Sequence, residues 1–270
     1  MSSVLAHIKL DGGADWGLNY TNPPKGNAAL QWLEDLVRKV KSGTVAANSV
    51  EIQLSSTSAR HAGQFILLSS GSGALTITAN GATIASHTWA TSDTASATAL
   101  VAALNADSDA VGLCMASNYV ATVTFSSADS GDIIYLLGEQ FVGGTDFTVT
   151  GTDTQDAASF ISAVRSHPWL SDVVHCDQAA GVVYIGLRPG YTPPTQKLSS
   201  SDGTDLAVAN GTFAASANIL LWAIHPGTMA HKVNVGVTGT GMSVLDSATD
   251  FEGGAGFGEQ TASSTIYVRK

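Results

Sequence analysis

The chain is poor in charge. Lysine, arginine, aspartate and glutamate make up 13% of its 270 residues, about half the usual share. The deficit is uneven: 12 Lys and Arg stand against 22 Asp and Glu, a formal net charge of −10. Binding a phosphate backbone requires clustered cations that release counterions. The closest grouping is Arg38, Lys39 and Lys41, which reads as the solvated last turn of a helix, where the helix dipole favours cations. No nucleic-acid contact is therefore expected. Cysteine is also scarce. Cys114 and Cys176 sit in no CxxC or Cys/His cluster; each falls in an apolar stretch, where Cys acts as a small buried hydrophobe. Their spacing supports no disulfide. No apolar run of about 18 residues is present, so no membrane-spanning segment is expected. The start, "MSSVLAHIKLDGG", lacks a basic opening followed by an apolar run, so no signal peptide is expected.

Recognisable catalytic patterns are missing as well. The seven histidines are His7, His61, His87, His167, His175, His225 and His231. His225 and His231 lie six apart around Pro226-Gly227, not at the i, i+4 spacing that puts two ligands on one helix face. His175 and Cys176 are adjacent in an apparent strand and so point to opposite faces. No G-x-S-x-G elbow occurs; "SGSGAL" at residues 70–75 is a Gly/Ser turn. "GGAGFG" at residues 253–258 has glycines but neither the Lys nor the following helix of a phosphate loop. Two acidic turns, with Asp129 and Asp132 and with Asp202 and Asp205, could offer oxygens to a hard cation; polar connections between strands account for both. Trp16, Trp32, Trp89, Trp169 and Trp222 are dispersed, as core or interface anchors are. No catalytic, cofactor or metal residue is assigned, no cofactor is implied, and an enzyme is not expected.

Small residues and apolar ones fill the space left by charge. With 44% apolar content the chain can build a core. Its Ala, Ser, Thr and Gly suit β-rich surfaces that pack against neighbours. Residues 1–26 hold Gly-rich and Pro-containing stretches and read as an irregular arm. Residues 27–43 read as a helix: Asn27 caps it, Leu30, Leu33, Val37 and Val40 form its apolar stripe, and Gly43 ends it. From Ser49 the period changes to two, with strands at "SVEIQLSS" and "GQFILLSS". A hairpin follows in "ALTITANGATIASHTW", turning at Asn80-Gly81.

One phrase is then written twice. "SDTASATALVAALNADS" begins at Ser92, and "GTDTQDAASFISAVRSHP" at Gly151. Each reads as a helix start followed by an apolar stripe: Ala97, Leu100, Val101 and Leu104 in one, Ala157, Phe160, Ile161 and Val164 in the other. Asp93 or Thr94 caps the first; Pro168 stops the second. After the first copy, "GLCMASNYVATVTFSS" reads as two strands around Asn118, then "GDIIYLLG", closing at "FVGG". The second opens on a strand at "DFTVTG" and continues with "DVVHCDQAAGVVYIGLRPG", a hairpin turning between Gln178 and Gly181. "NILLWAIHPG", "HKVNVGVTG", a closing "DFEGG" and a final edge strand "STIYVRK" complete the chain. The unit is a short helix laid over antiparallel strands, and two copies are too few for a solenoid.

Residues 147–187, "FTVTGTDTQDAASFISAVRSHPWLSDVVHCDQAAGVVYIGL", with "HPGTMAHKVNVGVTG" and "FEGG" further on, resemble a module of structural proteins of tailed bacteriophages. In that module a "GTDT-x-x-AA" helix start leads into an apolar helix, a Val-rich hairpin, a "PG" turn and a "GG" segment. The first copy departs from the pattern, with "TSDTASAT" and no "PG" turn. The resemblance covers about residues 75–254 and implies a virion building block without catalytic residues. The expected fold is α+β, mainly β: antiparallel sheets with short packed helices and an internal duplication of a β-hairpin/helix/β-hairpin unit. The expected organisation is an arm and helix over residues 1–48, a first β-rich unit with helix over 49–144, a second, related unit over 145–254, and a strand or arm over 255–270. The expected role is self-assembly in a virion built in the host cytoplasm, as a capsid-surface or decoration component. Partners would be copies of the chain and the major capsid or tail proteins, with no membrane contact. A tail tube or neck protein is the alternative; an adhesin that binds glycans and a hydrolase are the readings of other classes.

Overall fold

Period-2 stretches of this chain pair in antiparallel sheets. The computed structural model describes residues 3–10, 49–57, 61–167, 169–191, 197–226, 233–245, 250–254 and 262–269. It has two compact units, residues 1–59 with 256–270, and residues 60–255. The strands of the described residues are numbered β1 to β15 and the α-helices α1 to α3 along the chain.

The smaller unit holds a three-stranded sheet in the order β1 (Ser3–Leu10), β2 (Ser49–Thr57), β15 (Ala262–Arg269). Ser3–Leu10 lies within the arm expected to be irregular, yet it is a strand. Its Ala6, Ile8 and Leu10 pair with Leu54, Ile52 and Val50 in unbroken register, so an alternation too short to stand alone is completed by a distant one. β15 is the edge strand expected at the end of the chain. The helix expected over residues 27–43 lies outside the described residues.

The larger unit contains the duplication. One five-stranded sheet has the order β14 (Val235–Val244), β3 (His61–Ala79), β13 (Ile219–Pro226), β5 (Cys114–Ser117), with β4 (Ala82–Thr88) off this path on the far half of β3. The other has the order β12 (Leu206–Ala209), β6 (Val120–Phe125), β10 (Val182–Leu187), β9 (Val174–Ala179). A small sheet of β11 (Leu198–Ser200), β7 (Ile133–Leu136) and β8 (Glu139–Val142) adjoins in sequence. α1 (Asp93–Ala106) and a short α2 (Ser108–Val111) precede β5, and α3 (Asp153–Ser166) precedes β9. The two orders match strand for strand, helix-following edge included. The copies are nested, however. β5 and β6, adjacent around Asn118, do not pair with each other: β5 pairs β13, about a hundred residues on, and β6 pairs β10 and β12. Pro226, the first residue of the "PG" pair at 226–227, closes β13, which follows the inserted second copy in sequence.

The insertion leaves and rejoins the first copy at one point. Ser216 donates from its N–H and its hydroxyl to the Asn118 carbonyl (2.9 and 3.0 Å), and the Asn118 amide donates to the Ser216 carbonyl (3.2 Å). The Asn210 amide also donates to the Val120 carbonyl (2.8 Å). Neighbouring ends are what allow one folded unit to be inserted within another.

Both helices bury the stripe read from the sequence. α3 buries Ala157, Phe160, Ile161 and Val164 against β6, β9 and β10; α1 buries Ala97, Leu100 and Leu104 against the β3 sheet, with Val101 partly covered. The opposite faces of the two sheets meet in a third cluster, Phe65, Val120, Leu220, Trp222 and Leu245, with Tyr184 against it. The layers run α1, sheet, sheet, α3. β13 is therefore apolar on both faces: Ile219, Leu221 and Ala223 face α1, while Leu220 and Trp222 face the other sheet. Closeness at the middle requires a glycine: a Cβ on Gly186 would stand 2.7 Å from Leu220 Cδ2 and 2.9 Å from Phe65 Cε1.

Three hairpin turns share one geometry. Asn80-Gly81, Leu137-Gly138 and Ala180-Gly181 all have positive φ at both residues (49° and 83°, 53° and 98°, 50° and 82°), the geometry that matches strand twist. The strand expected from Asp146 is reduced to one bridge, Gly143 to Phe147. The Asp146 carboxylate accepts from Val142 N (2.7 Å) and turns the chain there. "FVGG" ends β8, whereas Glu252 of "FEGG" bridges Gly63 at the start of β3; the two echo in sequence and not in place.

Gly186→Ala should destabilise the protein by about 1–3 kcal/mol through overpacking, and Phe160→Ala by about 3–5 kcal/mol through loss of apolar contacts and a cavity. Denaturant unfolding measures both. A Gly186→Ala variant as stable as the parent would contradict the close sheet packing.

Candidate functional site

The two acidic turns noted in the sequence come together. β12 pairs β6 and β11 pairs β7, which brings the turn after β6 beside the turn between β11 and β12. Ser126 N donates to the Asp205 carbonyl and Ile133 N to the Ser201 hydroxyl, both at 2.8 Å. Each turn uses its own carboxylate. Asp132 accepts from Asp129 N (2.8 Å), and Asp202 from Thr204 N (2.7 Å) and Asp205 N (3.2 Å). The Thr204 and Asp205 amides hold the Asp202 carboxyl below its ordinary range. Asp205 is pushed the other way, by desolvation first and then by the charges of Asp202, Asp132 and Asp129. Among the described residues no group of three His, Cys, Asp or Glu is arranged to hold a metal ion.

The histidines are spread over separate elements. His61 bonds the Ala223 carbonyl (2.7 Å) and stacks on Trp222. His87 pairs across from Leu75 in the β3–β4 hairpin. His167 caps α3 and lies 3.6 Å from Glu139, whose other oxygen accepts from Trp169 Nε1 (3.0 Å). His175 is buried in β9, its ring against Phe65 and packed by Gly63 and Gly253. The side chains of His7, His225 and His231 lie outside the described residues, as do Pro168, Trp16, Trp32 and residues 255–258 of the Gly-rich stretch. Cys114 and Cys176 are both buried free thiols, on different sheets. Burial pushes them up to about 11 and about 12, with Arg165 opposing the rise at Cys176. A thiol so protonated is a poor nucleophile.

The repeated chemistry lies at the helix ends. The sequence offers Asp93 or Thr94 as the cap of α1, but Ser92 caps it: Ala95 N donates to Ser92 Oγ (3.1 Å). Asp93 is the first helical residue and is engaged elsewhere. Its carboxylate accepts from Ser70 N (2.7 Å), Gly71 N (2.9 Å) and Trp89 Nε1 (2.9 Å). These bonds, Trp89 foremost, lower its pKa. In the second copy Thr152 and Gln155 form a capping box, and Asp153 accepts from Ser127 N (2.8 Å). Ser70 and Ser127 occupy the same left-handed conformation, φ 54° and 63°. In both copies the first helical carboxylate thus pins a kink in the chain entering the hairpin.

The other end of each helix reaches an exposed sheet edge. Asn105 is the thirteenth residue of α1 and Arg165 the thirteenth of α3. The Asn105 amide donates to the Ala116 carbonyl (3.0 Å) and accepts from Ala116 N (2.8 Å), both groups on the outer side of β5. Arg165 Nη2 donates to the Cys176 carbonyl of β9 (2.8 Å). The separation is eleven residues in each case. Helix side chains thus occupy the positions a further strand would use. Neither residue stands out in the sequence as functional; the signal is their equal place in the two copies.

Asp93→Asn should lower the melting temperature near neutral pH by about 2–4 °C. Because the folded carboxyl titrates below its ordinary 3.8, its contribution is present above that value and is lost as pH falls through the lowered folded value. The gap between variant and parent should therefore close below about pH 4; a constant gap would remove the charge from the argument. Neither thiol should react with Ellman's reagent in the native protein, and both should do so after unfolding.

No protein-family model matches the chain and no curated protein matches it.

Proposed function

We propose that the chain is a structural component of a tailed-bacteriophage virion that acts by self-assembly, placed on the capsid surface as a decoration component. The observation that carries this reading is the folded unit formed by residues 147–187. The segment that resembles the phage module is a helix on a β-hairpin, with Phe160 and Val164 packed on Val183 and Ile185. A second helix, α1, packs on the sheet in which β5 pairs β13. The low charge and the small-residue surface support a chain that meets neighbours through apolar and backbone contacts. Its partners are other copies and the major capsid or tail proteins, in particles assembled in the host cytoplasm. Among the described residues no helix is long and apolar enough to cross a membrane.

A tail tube or neck location is the second reading, favoured by the β1–β2–β15 sheet, whose two long edge strands suit closure into a ring. A glycan-binding adhesin has less support. Among the described residues, the exposed aromatic residues Tyr119 and Tyr135 belong to different parts of the unit and form no stacking platform together.

Purified full-length chain should form discrete oligomers in sedimentation velocity and electron microscopy at micromolar concentration. These should persist in ~0.5 M salt, where exposed charges are screened within a few ångströms. A chain that stays monomeric at ~100 µM, well above the dissociation constants of specific interfaces, would sink the reading. Immunogold labelling of assembled particles separates a head location from a tail one.

A further inference from the structure

Among the described residues, each edge strand of the larger unit is short, bulged or met by a helix side chain. β5 is covered by Asn105 and β9 by Arg165. β14 pairs β3 through two register shifts, at Thr238/Thr240 and Thr240/Met242. β4 carries an extra residue at Ile84, between its pairings with Ile77 and Thr78. β8, β11 and β12 span four, three and four residues. Side-chain cover, bulges and brevity are the ways in which proteins prevent edge-to-edge association.

The strands of the smaller unit are neither short nor bulged. β1 and β15 are each eight residues long and pair with β2 without a register shift. No other described strand pairs with their outer edges. Register places Ile8, Ile52 and Ile266 in one row and Leu10, Val50 and Val268 in the next on the same face. Both rows run from edge to edge, so a strand of identical sequence would continue them.

Resting on the self-assembly reading, we infer that the chain directs association to the outer edges of β1 and β15, where a second copy adds a strand, and that Asn105 and Arg165 guard β5 and β9 against the same event. β1 and β15 run in the same direction, both antiparallel to β2. Joining β15 of one copy to β1 of the next in a ring makes a parallel pair; joining like edges across a two-fold makes an antiparallel one.

The test uses the full chain in its assembled and dissociated states, compared by amide hydrogen exchange. The expected result is at least about tenfold slower exchange in β1 and β15 on assembly, with β5 and β9 unchanged. Proline at Thr265 and, separately, at Ile266 samples both hydrogen-bonding senses of β15. The substitution with its N–H outward should raise the assembly midpoint concentration by at least about tenfold, with Cys114 and Cys176 still protected from Ellman's reagent, which reports an intact larger unit. Asn105→Ala and Arg165→Ala should add concentration-dependent association with new protection in β5 or β9. A parent that never assembles overturns the self-assembly reading and this inference with it. A parent that assembles with no gain of protection in β1 and β15 overturns this inference alone.

Discussion

Backbone donors and acceptors at a sheet edge need a partner, and in this protein the neighbouring helix supplies it. Asn105 and Arg165 occupy the same helical position and reach the same strand of their respective sheets, eleven residues on. At the opposite helix ends Asp93 and Asp153 bond the amides of two serines held at positive φ. A short helix gains little stability from propensity alone. Here each is fixed by its apolar stripe beneath and by a polar contact at either end. That arrangement sets the angle at which the helix crosses its sheet and so the position of the hairpin, the kink and the edge.

Repeating a unit with both ends so constrained permits nesting. The second copy enters after Asn118 and leaves before Ser216, and these residues bond each other. The first copy keeps its sheet order although its β5 and β13 are separated by the whole insertion. The outward face of each sheet is covered by a helix, and the remaining faces close on one another through Phe65, Leu220 and Trp222. Gly186 leaves room for that contact. Among the described residues of the larger unit, the helix-to-sheet and sheet-to-sheet contacts form its buried core. In the proposed assembly, the long strands β1 and β15 at the edges of the β1–β2–β15 sheet are where a second copy would add.

The electrostatics follow the same division between local structure and long-range chemistry. Carboxylates are used to organise turns and caps. Asp132 and Asp202 fold their own loops, Asp146 turns the chain after β8, and Asp93 pins a kink. The cysteines lie deep and protonated. Charged residues are only 13% of the chain, so association of the proposed kind would rest on backbone hydrogen bonds and apolar rows.

Much of the local structure was legible from Ser49 onward. Asn80-Gly81 marked its hairpin because both residues tolerate positive φ, while Leu137-Gly138 makes the same turn with a leucine that gives no such signal. The stripes of α1 and α3 were read almost residue for residue, since a 3.6-residue period is written in the local sequence. Ser3–Leu10 was missed because its alternation gains meaning only beside Val50, Ile52 and Leu54. The helix-end contacts were not legible, because Asn105 and Arg165 act on strands whose edge position is not a local property. By itself, then, the sequence determined the helices α1 and α3, most of the hairpin strands and that one phrase is written twice, because side-chain periodicity and turn chemistry are local. Only the tertiary structure decided that β5 pairs β13 across an inserted copy, and which described strands lie at the sheet edges. Backbone hydrogen bonds are the same for every residue but proline, so the choice of strand partner falls to long-range packing.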